Sequence, residues 1–524
     1  MSSRSPAHFQ QQISELIARR DLVRAATAAA AYRAAWPSSA AGWLLGSIVA
    51  LLAEDRQTAL ALIEEPLRVD PADGQCLLQK AECLLGLGRR AEALAAAEAA
   101  GATAKVRAAL DAVGEFLSQA GEYARALVIY NRAVALAPRD PTLLTKRAVI
   151  HRFLGHHDLA AHDYESVLAI APGTPKALKG RVELHRQSRE HNSIDALRAA
   201  LAAAASGSTD AAILHFGLAK SYEDLGEHAE SWRHVTAGNR IERSRIQYSP
   251  ENDRDVIEGL IEGFSGPEPP SADSSGERPI FIVGVPRTGS TLVDRILSSH
   301  SQVHSAGEAT AMPEAIDALA RRSTEPPEPD LRRHMAQLGR LQGKPLAAEY
   351  LSRVRAYRGE RPRFTDKQLT NFAYCPLILR AFPGAHILHV TRHPLATCAA
   401  IYRTRFNGGQ PFAYDLAEIA EFYVGYRRLM AHWHRLLPGR ILDVAYEDVV
   451  TALEPTTRRM LDELGLPFEP ACLEFHLNPA PVITTSSVQV RQPLYASSLD
   501  QWKHYAAELA PVRARLERAG IPID

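Results

Sequence analysis

One short segment constrains the fold more than any other, because it has the pattern of a strand, a glycine loop and a helix in immediate succession. Residues 280–283 are apolar and β-prone, and this run breaks at Gly284. Pro286 and Gly289 lie in the loop that follows, and a helical spacing of apolar residues begins at Ser290. This order presents backbone N–H groups and a helix N-terminus to a phosphate. The segment therefore predicts an α/β domain with an anion site.

The loop has the glycine spacing of a nucleotide-binding P-loop but lacks its lysine. Four residues separate Gly284 from Gly289, as in G-x-x-x-x-G-K, yet Ser290 stands where the lysine would be. That lysine serves the β- and γ-phosphates of a nucleoside triphosphate. Its absence, together with Arg287 inside the loop, indicates one terminal phosphate rather than three. A P-loop nucleotide kinase of similar fold is an alternative, and Ser290 speaks against it.

The first half of the chain repeats itself at intervals of 34 residues. The recurring positions are glycine, alanine, tyrosine and proline: Gly121 and Gly155, Ala126 and Ala160, Tyr130 and Tyr164, Pro138 and Pro172. This is the tetratricopeptide period, in which each unit is a helix, a turn at glycine and a second helix. One unit cannot bury its apolar face alone, so we expect neighbouring units to stack into a helical solenoid. A generic alanine-rich helical bundle is the weaker alternative.

Composition sets the expected domain boundaries. Another helix pair, expected at residues 216–247, lies outside the repeat register and is interpreted as a capping or bridging pair. Residues 263–277 are rich in proline, glycine and serine, which is typical of a linker. We therefore expect a helical repeat domain over residues 1–247, a linker over 248–276, and an α/β domain with a mostly parallel sheet over 277–524.

Length, charge and cysteine usage narrow the class of protein. A chain of 524 residues suggests two or more domains. The 60 Lys and Arg residues balance 60 Asp and Glu residues, so no nucleic-acid partner is expected. Five cysteines without a C-x-x-C pair indicate buried thiols in a reducing cytosol. No signal peptide is visible, and the apolar stretch at 42–53 is too short to span a bilayer. We expect a cytoplasmic protein of bacterial type.

The loop resembles the 5′-phosphosulfate loop of sulfotransferases, which use 3′-phosphoadenosine-5′-phosphosulfate (PAPS). That superfamily has the signature Pro-[Arg/Lys]-[Ser/Thr]-Gly-[Ser/Thr]-[Ser/Thr] at this place. The resemblance covers roughly residues 277–510 and is closest to bacterial tetratricopeptide–sulfotransferase proteins and protein-tyrosine sulfotransferases. It implies transfer of a sulfuryl group from PAPS to a hydroxyl or amine, with adenosine 3′,5′-bisphosphate as product. The residues that it assigns to the 5′-phosphate are Pro286, Arg287, Thr288, Gly289, Ser290 and Thr291.

The resemblance also implies which residues are catalytic. Arg287 would stabilise the leaving phosphate. A glutamate at the place of Glu308 is the catalytic base in the protein-tyrosine sulfotransferases, so the same role is implied here, with His300 and His304 as nearby competitors. Lys367, at the end of an expected strand, would bridge the phosphate and the sulfate during transfer.

The implied 3′-phosphate site departs from the family pattern. Arg392 follows an expected buried strand and would grip this phosphate, with Thr397 close by. A serine usually follows that arginine by eight residues, and this chain has Ala400 there. Thr397, Arg403 and Arg405 could compensate, because arginine binds phosphate through two parallel hydrogen bonds. A solvated helix face is the alternative for these two arginines.

The end of the chain resembles the closing segment of tyrosine-type and bacterial members. In them a serine assists the lysine, and basic residues hold the 3′-phosphate. The candidates are Ser486 and Ser487 for the serine, and Arg491 and Lys503 for the phosphate. A basic residue commonly precedes the tryptophan, and Gln501 stands there instead. Tyr446 follows another expected strand, where the family has a tyrosine near the adenine; ordinary core packing explains it equally well.

The expectations for metals and partners are less specific. No H-E-x-x-H or C-x-x-C pair is present and sulfuryl transfer needs no metal, so none is expected. A phenol, tyrosyl peptide, carbohydrate, lipid or small metabolite would all suit as acceptor, and the repeats slightly favour a peptide or protein. A scaffolding role for the repeats is equally compatible. A non-catalytic interaction protein that retains a sulfotransferase-like fold is the second alternative to the enzyme.

Overall fold

The computed structural model describes residues 5–266, 276–322, 330–355, 357–406, 408–482, 487–494 and 498–523. The chain divides into two compact units, Met1–Ile170 and Ala171–Asp524. Each unit has its own arrangement of secondary structure. Within the described ranges, no helix combines the length and the apolar character that crossing a bilayer requires.

The first unit consists of ten helices, each of 13 or 14 residues, over the part that the structure describes. They are α1 Pro6–Ala18, α2 Leu22–Ala35, α3 Ala40–Leu52, α4 Arg56–Val69, α5 Gly74–Gly86, α6 Arg90–Thr103, α7 Arg107–Gln119, α8 Tyr123–Leu136, α9 Pro141–Leu154 and α10 His157–Ile170. Consecutive helices pack as pairs, which confirms the predicted helical repeats.

The predicted repeat positions have the structural roles that the repeat pattern predicts: turns, close helix contacts and core packing. Gly121 and Gly155 turn the chain between paired helices in the left-handed conformation, with φ of +78° and +84°. Ala126 and Ala160 are fully buried. Tyr130 packs so closely on α7 that a Cβ added at Gly114 would lie 2.8 Å from its ring. Small residues at these positions let the helices approach, and the tyrosines fill the space beside them.

The second unit begins with five helices before its sheet. They are α11 Pro175–Leu184, α12 Ile194–Ala203, α13 Thr209–Asp224, α14 His228–Arg243 and α15 Pro250–Gly263. Helices α13 and α14 are the pair expected at residues 216–247. The Nδ2 atom of Asn239 on α14 donates a hydrogen bond to the Tyr402 carbonyl at 2.8 Å, and Trp232 packs against Tyr402 and Tyr505. This helix pair therefore belongs to the compact unit that contains the sheet.

Part of the predicted linker is a helix. Of residues 248–276, the segment Pro250–Gly263 forms α15, and residues 267–275 lie outside the described part of the chain. Ile257, Leu260 and Phe264 are buried in the core of the second unit. The proline, glycine and serine composition that indicated a linker starts only at Gly263. Before it, the apolar spacing is that of a packed helix, and we correct the linker to exclude α15.

A five-stranded, entirely parallel sheet forms the centre of the second unit, as predicted. Its strands are β1 Ile280–Gly284, β2 Val303–Ser305, β3 Arg363–Asp366, β4 His386–Thr391 and β5 Ile441–Ala445, in the order β2-β3-β1-β4-β5. All five residues of β1 are buried, because the strand is central and both sheet faces are covered. The anion loop thus emerges from the middle of the sheet.

Helices cover both faces of the sheet. They are α16 Ser290–Ser298, α17 Ala311–Arg322, α18 Leu331–Gln337, α19 Gly343–Val354, α20 Cys375–Ala381, α21 Pro394–Tyr402, α22 Leu416–Leu436, α23 Tyr446–Thr451, α24 Leu453–Glu463 and α25 Ala510–Arg518. Phe281, Val283 and Ile387 face a core that includes α22. Ile282 and Leu388 face the opposite core, which includes α16 and α24. The alternation follows from the two-residue period of a strand.

Candidate active site

A cavity of about 340 Å³ opens at the carboxyl ends of the strands. Pro286, Gln368, Arg392 and Tyr446 line it, and these residues follow β1, β3, β4 and β5 along the chain. Further lining residues include Arg287, Gly289, Ser290, Thr291, Glu308, Phe406, Gly408, Gln410, Gln489 and Gln492. Ligands of open α/β sheets bind at this edge. Most of the predicted phosphate-binding residues therefore share one cavity.

The loop between β1 and α16 requires unusual backbone conformations. Gly284 has φ of +148°, and a Cβ there would lie 2.7 Å from the Val390 carbonyl oxygen of β4. Gly289 has φ of +94° and caps α16, and a Cβ there would overlap the Tyr446 ring. Arg287 has φ of +70°, a conformation that costs a residue with a side chain about 1–3 kcal/mol. Strain of this kind concentrates at binding sites.

The polar residues of the loop divide into two groups. Arg287, Ser290 and Thr291 line the cavity, and the last two begin α16, where the helix dipole favours an anion. Thr288 is buried beneath the loop, and its hydroxyl donates a hydrogen bond to the Val285 carbonyl at 2.9 Å. Its side chain therefore braces the loop from inside.

Arg392 connects three parts of the cavity wall. Its guanidinium donates hydrogen bonds to the carbonyl oxygens of Arg287, at 3.2 Å, and Ser498, at 2.6 Å. Its Cζ lies 4.7 Å from the centre of the Tyr446 ring, a cation–π distance. The Tyr446 hydroxyl is 2.8 Å from the Ser498 hydroxyl. Arg392 and Tyr446 thus form one rigid corner beside Gly289.

The structure joins the two residues implied as base and cation. The Lys367 Nζ donates a hydrogen bond to the Glu308 Oε1 at 2.5 Å, and the Lys367 N–H donates to the Gly307 carbonyl at 2.8 Å. The Lys367 side chain is only 4% exposed, whereas that of Glu308 is 52% exposed and lines the cavity. A lysine that is buried this deeply needs an anionic partner, and Glu308 supplies it.

Two buried carboxyl groups that the sequence analysis missed lie behind this pair. Asp294 accepts hydrogen bonds from Thr365, at 2.5 Å, and Ser305, at 2.8 Å, and burial raises its pKa. Asp366 directly precedes Lys367 and accepts a hydrogen bond from Tyr350 at 3.0 Å, and burial raises its pKa to about 7. The available signal was an acid at a buried position of α16 and another inside a buried strand. Both hold the end of β3 that carries Lys367.

Several predicted residues lie away from the cavity lining. Thr397 is buried within α21, where its hydroxyl donates a hydrogen bond to the His393 carbonyl at 3.1 Å. The Arg491 guanidinium donates to the Ala480 carbonyl at 3.0 Å. Lys503 is exposed and pairs with Asp500 at 2.7 Å. The neighbours of Arg491, Val490 and Gln492, do line the cavity.

Of the two candidate serines, only Ser487 belongs to the described residues. Ser486 lies outside the described residues. Ser487 is described, and its side chain is almost completely buried close to the cavity-lining Gln489. Among the described residues, its hydroxyl has no hydrogen-bond partner. Because buried hydroxyl groups are normally hydrogen-bonded, Ser487 is a candidate to bond a ligand in the cavity.

Arg403 and Arg405 both form ion pairs with carboxylates of earlier helices. Arg403 pairs with Glu223 of α13. Arg405 pairs with Glu242 of α14 at 2.7 Å, and both side chains of that pair are mostly buried. The expectation that these arginines compensate for Ala400 stays a prediction. The carboxylates with which they pair belong to helices more than 160 residues earlier in the chain.

The competing histidines also have structural roles. His300 is fully buried, and its Nε2 lies 2.9 Å from the Pro467 carbonyl. His304 lies in β2, and burial lowers its pKa. Among the described lining residues neither histidine is present, whereas Glu308 is. The geometry therefore favours Glu308 as the proton acceptor.

Comparison with known proteins identifies the class of this domain. The sulfotransferase family model matches residues 279–470. An uncharacterised protein of Aquifex aeolicus (strain VF5) is 33% identical over 310 residues, which are 57% of this chain and 40% of that protein. The protein-tyrosine sulfotransferase of Drosophila melanogaster is 26% identical over 242 residues, which are 43% of this chain and 46% of that protein.

One solved structure is also similar to part of the chain. The sulfotransferase domain from the curacin biosynthetic pathway aligns with 47% of this chain and 99% of its own length, at 17% identity and a TM-score of 0.33. The chain spans less than half of the length of the two relatives above. Residues 279–470 are a sulfotransferase-family domain, and the chain joins it to a tetratricopeptide-type helical array. The resemblance inferred from the loop is confirmed.

Proposed function

We propose that this chain is a sulfotransferase that takes its sulfuryl group from PAPS and transfers it to an acceptor hydroxyl or amine. The observation that carries the proposal is the pair of Lys367 and Glu308 beside a phosphate loop without the P-loop lysine. One buried cation and one half-exposed carboxylate lie where a transferred group would enter and a proton would leave.

The cavity fits the cofactor at several points. Gly289 leaves a backbone surface that any side chain would fill, and Arg287 and the first turn of α16 supply positive charge. Ser487 has a buried hydroxyl without a hydrogen-bond partner among the residues that the structure describes. When bound, PAPS supplies an activated sulfuryl group on its 5′-phosphate and leaves as adenosine 3′,5′-bisphosphate. Arg392 is the described arginine of the lining that follows β4, and it would hold the 3′-phosphate.

Each residue of the site has a role that its surroundings support. Arg287 and Lys367 stabilise negative charge in a largely buried environment, where such stabilisation is stronger than in water. Glu308 accepts the acceptor's proton on its carboxylate, and Lys367 holds that carboxylate in place through Oε1. Asp366 and Asp294 fix the end of β3 so that Lys367 keeps this position.

The acceptor class belongs to the same proposal. The named relatives include protein-tyrosine sulfotransferases, and a helical repeat array commonly binds peptides. We therefore place tyrosyl peptides first among the acceptors to be tried, ahead of simple phenols, carbohydrates and amines.

The proposal is tested by measuring conversion of PAPS to adenosine 3′,5′-bisphosphate with purified full-length chain and a panel of those acceptors. We expect acceptor-dependent turnover, with Lys367→Met lowering it by at least about 100-fold. Glu308→Gln should lower it by about 10²–10⁴-fold. Exposed Lys344→Met and Glu463→Gln are matched controls and should retain the activity. Unchanged turnover in both Lys367→Met and Glu308→Gln would contradict the roles proposed for these two residues.

A further inference from the structure

Three metal-ligating side chains meet at one edge of the sheet, apart from the sulfotransferase site. The Nδ1 of His389 lies 2.6 Å from the Asp443 Oδ1, and the Nε2 of His434 lies 3.3 Å from the same oxygen. One ligand atom from each of the three residues lies within 4.8 Å of the other two. Among the described residues, this is the one group of three or more histidines, cysteines and acids that is placed for a metal.

The fold itself brings the three residues together. His389 of β4 and Asp443 of β5 are partners in the parallel register, so their side chains leave the same face of the sheet. Helix α22 crosses that face and carries His434 in its last turn. The three residues belong to three different elements, and His389 lies 45 residues before His434, so no short sequence motif predicts the group.

We propose that His389, His434 and Asp443 bind a divalent transition metal, with Zn²⁺ the best match. Two imidazole nitrogens and one carboxylate are ligands that Zn²⁺ takes in open sites, where water completes the tetrahedron. This proposal is independent of the sulfotransferase function.

The spacing of the ligand atoms suits such an ion. Zn–N and Zn–O bonds of about 2.0–2.1 Å in a tetrahedron separate ligand atoms by about 3.3 Å. The Asp443–His434 separation already has this value. The His389–Asp443 separation is shorter, at 2.6 Å, which is a hydrogen-bond distance. The Asp443 side chain is 56% exposed, so its carboxylate can move by the fraction of an ångström that replacing this hydrogen bond with a metal requires.

A second hydrogen bond orients the buried ligand. The Nε2 of His389 bonds the hydroxyl of Tyr426, which is a buried residue of α22. Zinc-bound histidines almost always make such a bond with their other nitrogen. The ligand set therefore has a buried, oriented histidine and two more accessible members.

The proposed ion would tie α22 to the β4–β5 edge. Arg392 follows His389 by three residues, so the same strand carries a metal ligand and a corner of the cavity. The ion should therefore stabilise the second unit, and its binding should be measurable in the absence of PAPS and acceptor.

The experiment is a Zn²⁺ titration of chelator-treated, full-length chain, followed by isothermal calorimetry and melting temperature. Co²⁺ in place of Zn²⁺ gives a visible spectrum that reports the ligand geometry. We expect one Zn²⁺ per chain, a higher melting temperature, and at least about 100-fold weaker binding in Asp443→Asn and His434→Gln, because losing a ligand costs at least as much as losing a residue that only hydrogen-bonds to a ligand. His185→Gln, an exposed histidine of the same unit, is the control and should bind normally.

A further variant separates this site from adventitious binding. Tyr426→Phe leaves all three ligands in place but removes the hydrogen bond to His389, so Zn²⁺ affinity should fall by about 10–100-fold. Unchanged affinity in Asp443→Asn and His434→Gln, or no Zn²⁺ binding by the unaltered chain, would overturn the proposal. Both of these substitutions alter partly exposed side chains, so the folded state should persist.

Discussion

The two walls of the cavity are built in different ways. The phosphate-loop wall, residues 284–291, depends on glycines and on bonds between near neighbours, such as that from Thr288 to Val285. The second wall, residues 403–406 and 408–410, includes Phe406 and Gln410, and Arg403 and Arg405 anchor it through ion pairs. The partners of these arginines, Glu223 and Glu242, come from α13 and α14. One wall is encoded locally, and the other depends on distant parts of the chain.

This difference shows when a residue's role can be inferred from its neighbours in sequence. A glycine with positive φ is constrained by its own backbone, so its function follows from a short motif. An arginine's function depends on which anion the fold brings to it. Arg405 has the sequence context of a phosphate ligand, but the structure gives it a carboxylate 163 residues away. Four substitutions test this contrast.

The largest effect is expected where the distant partner is removed. Glu242→Gln leaves Arg405 mostly buried without its anion, and breaking a buried pair costs about 3–5 kcal/mol of folding free energy. Chemical denaturation measures this loss. Glu230→Gln on the same helix removes an exposed pair with Arg233 and should cost about 1 kcal/mol or less. Equal effects of the two substitutions would contradict the structural role of Arg405.

A methyl group added to the phosphate-loop wall should weaken ligand binding. Gly289→Ala places a Cβ against the Tyr446 ring and strains the backbone by about 1–3 kcal/mol. We expect affinity for adenosine 3′,5′-bisphosphate to fall by about 100-fold, as measured by calorimetry. Gly439→Ala has a similar φ of +71° with nothing within 4 Å of the added Cβ, so it controls for strain alone. An affinity loss of the same size in this control would show that the clash with Tyr446 is irrelevant.

The corner between the two walls should be sensitive to the shape of its cation. Arg392→Lys keeps the charge but loses the planar contact with Tyr446 and one of the two carbonyl hydrogen bonds. We expect about 10-fold weaker binding of the 3′,5′-bisphosphate and little change for 5′-AMP. Arg405→Lys, in the second wall, should leave the affinities for the 3′,5′-bisphosphate and for 5′-AMP unchanged. Weaker binding of the bisphosphate by Arg405→Lys would indicate that Arg405 is a phosphate ligand.

The last of the four predictions concerns pH. Burial raises the pKa of Asp366 from 3.8 to about 7, so the folded chain binds more protons than the unfolded chain between these values. The contribution of Asp366 to stability therefore decreases as pH rises through this interval. Asp366→Asn should make the fall in unfolding free energy between pH 5 and 7 shallower, as measured by urea denaturation. An identical pH slope in the two proteins would refute the raised pKa, and exposed Asp462→Asn is the control.

The sequence predicted those parts of the site whose signals are local. The repeat period located the turn glycines, and the loop motif located Arg287, Gly289 and Ser290 at the cavity. Glu308 and Lys367 came from the family resemblance, and the structure joins them by a hydrogen bond. Asp294 and Asp366 were missed because a buried acid in an apolar segment has no spacing rule.

Other positions have contacts that depend on the tertiary structure. The family resemblance made Arg491 a candidate for the 3′-phosphate, and in the structure its guanidinium donates a hydrogen bond to the Ala480 carbonyl. Helix α15 was assigned to a linker because the proline-rich segment after it dominated the local composition. The triad of His389, His434 and Asp443 needs the register of β4 with β5 and the path of α22, and neither can be inferred from spacing.

The most direct test of the phosphate-loop account is the melting temperature of the purified chain with adenosine 3′,5′-bisphosphate, 5′-AMP, ADP or ATP. A ligand at about 100 times its dissociation constant adds about 2.7 kcal/mol to the free energy of unfolding. The account predicts the largest rise with the bisphosphate, a smaller rise with 5′-AMP, and no additional rise with ATP. Stabilisation by ATP and not by the bisphosphate would contradict it and favour a nucleotide kinase, and no response to any of the four would favour a non-catalytic interaction protein.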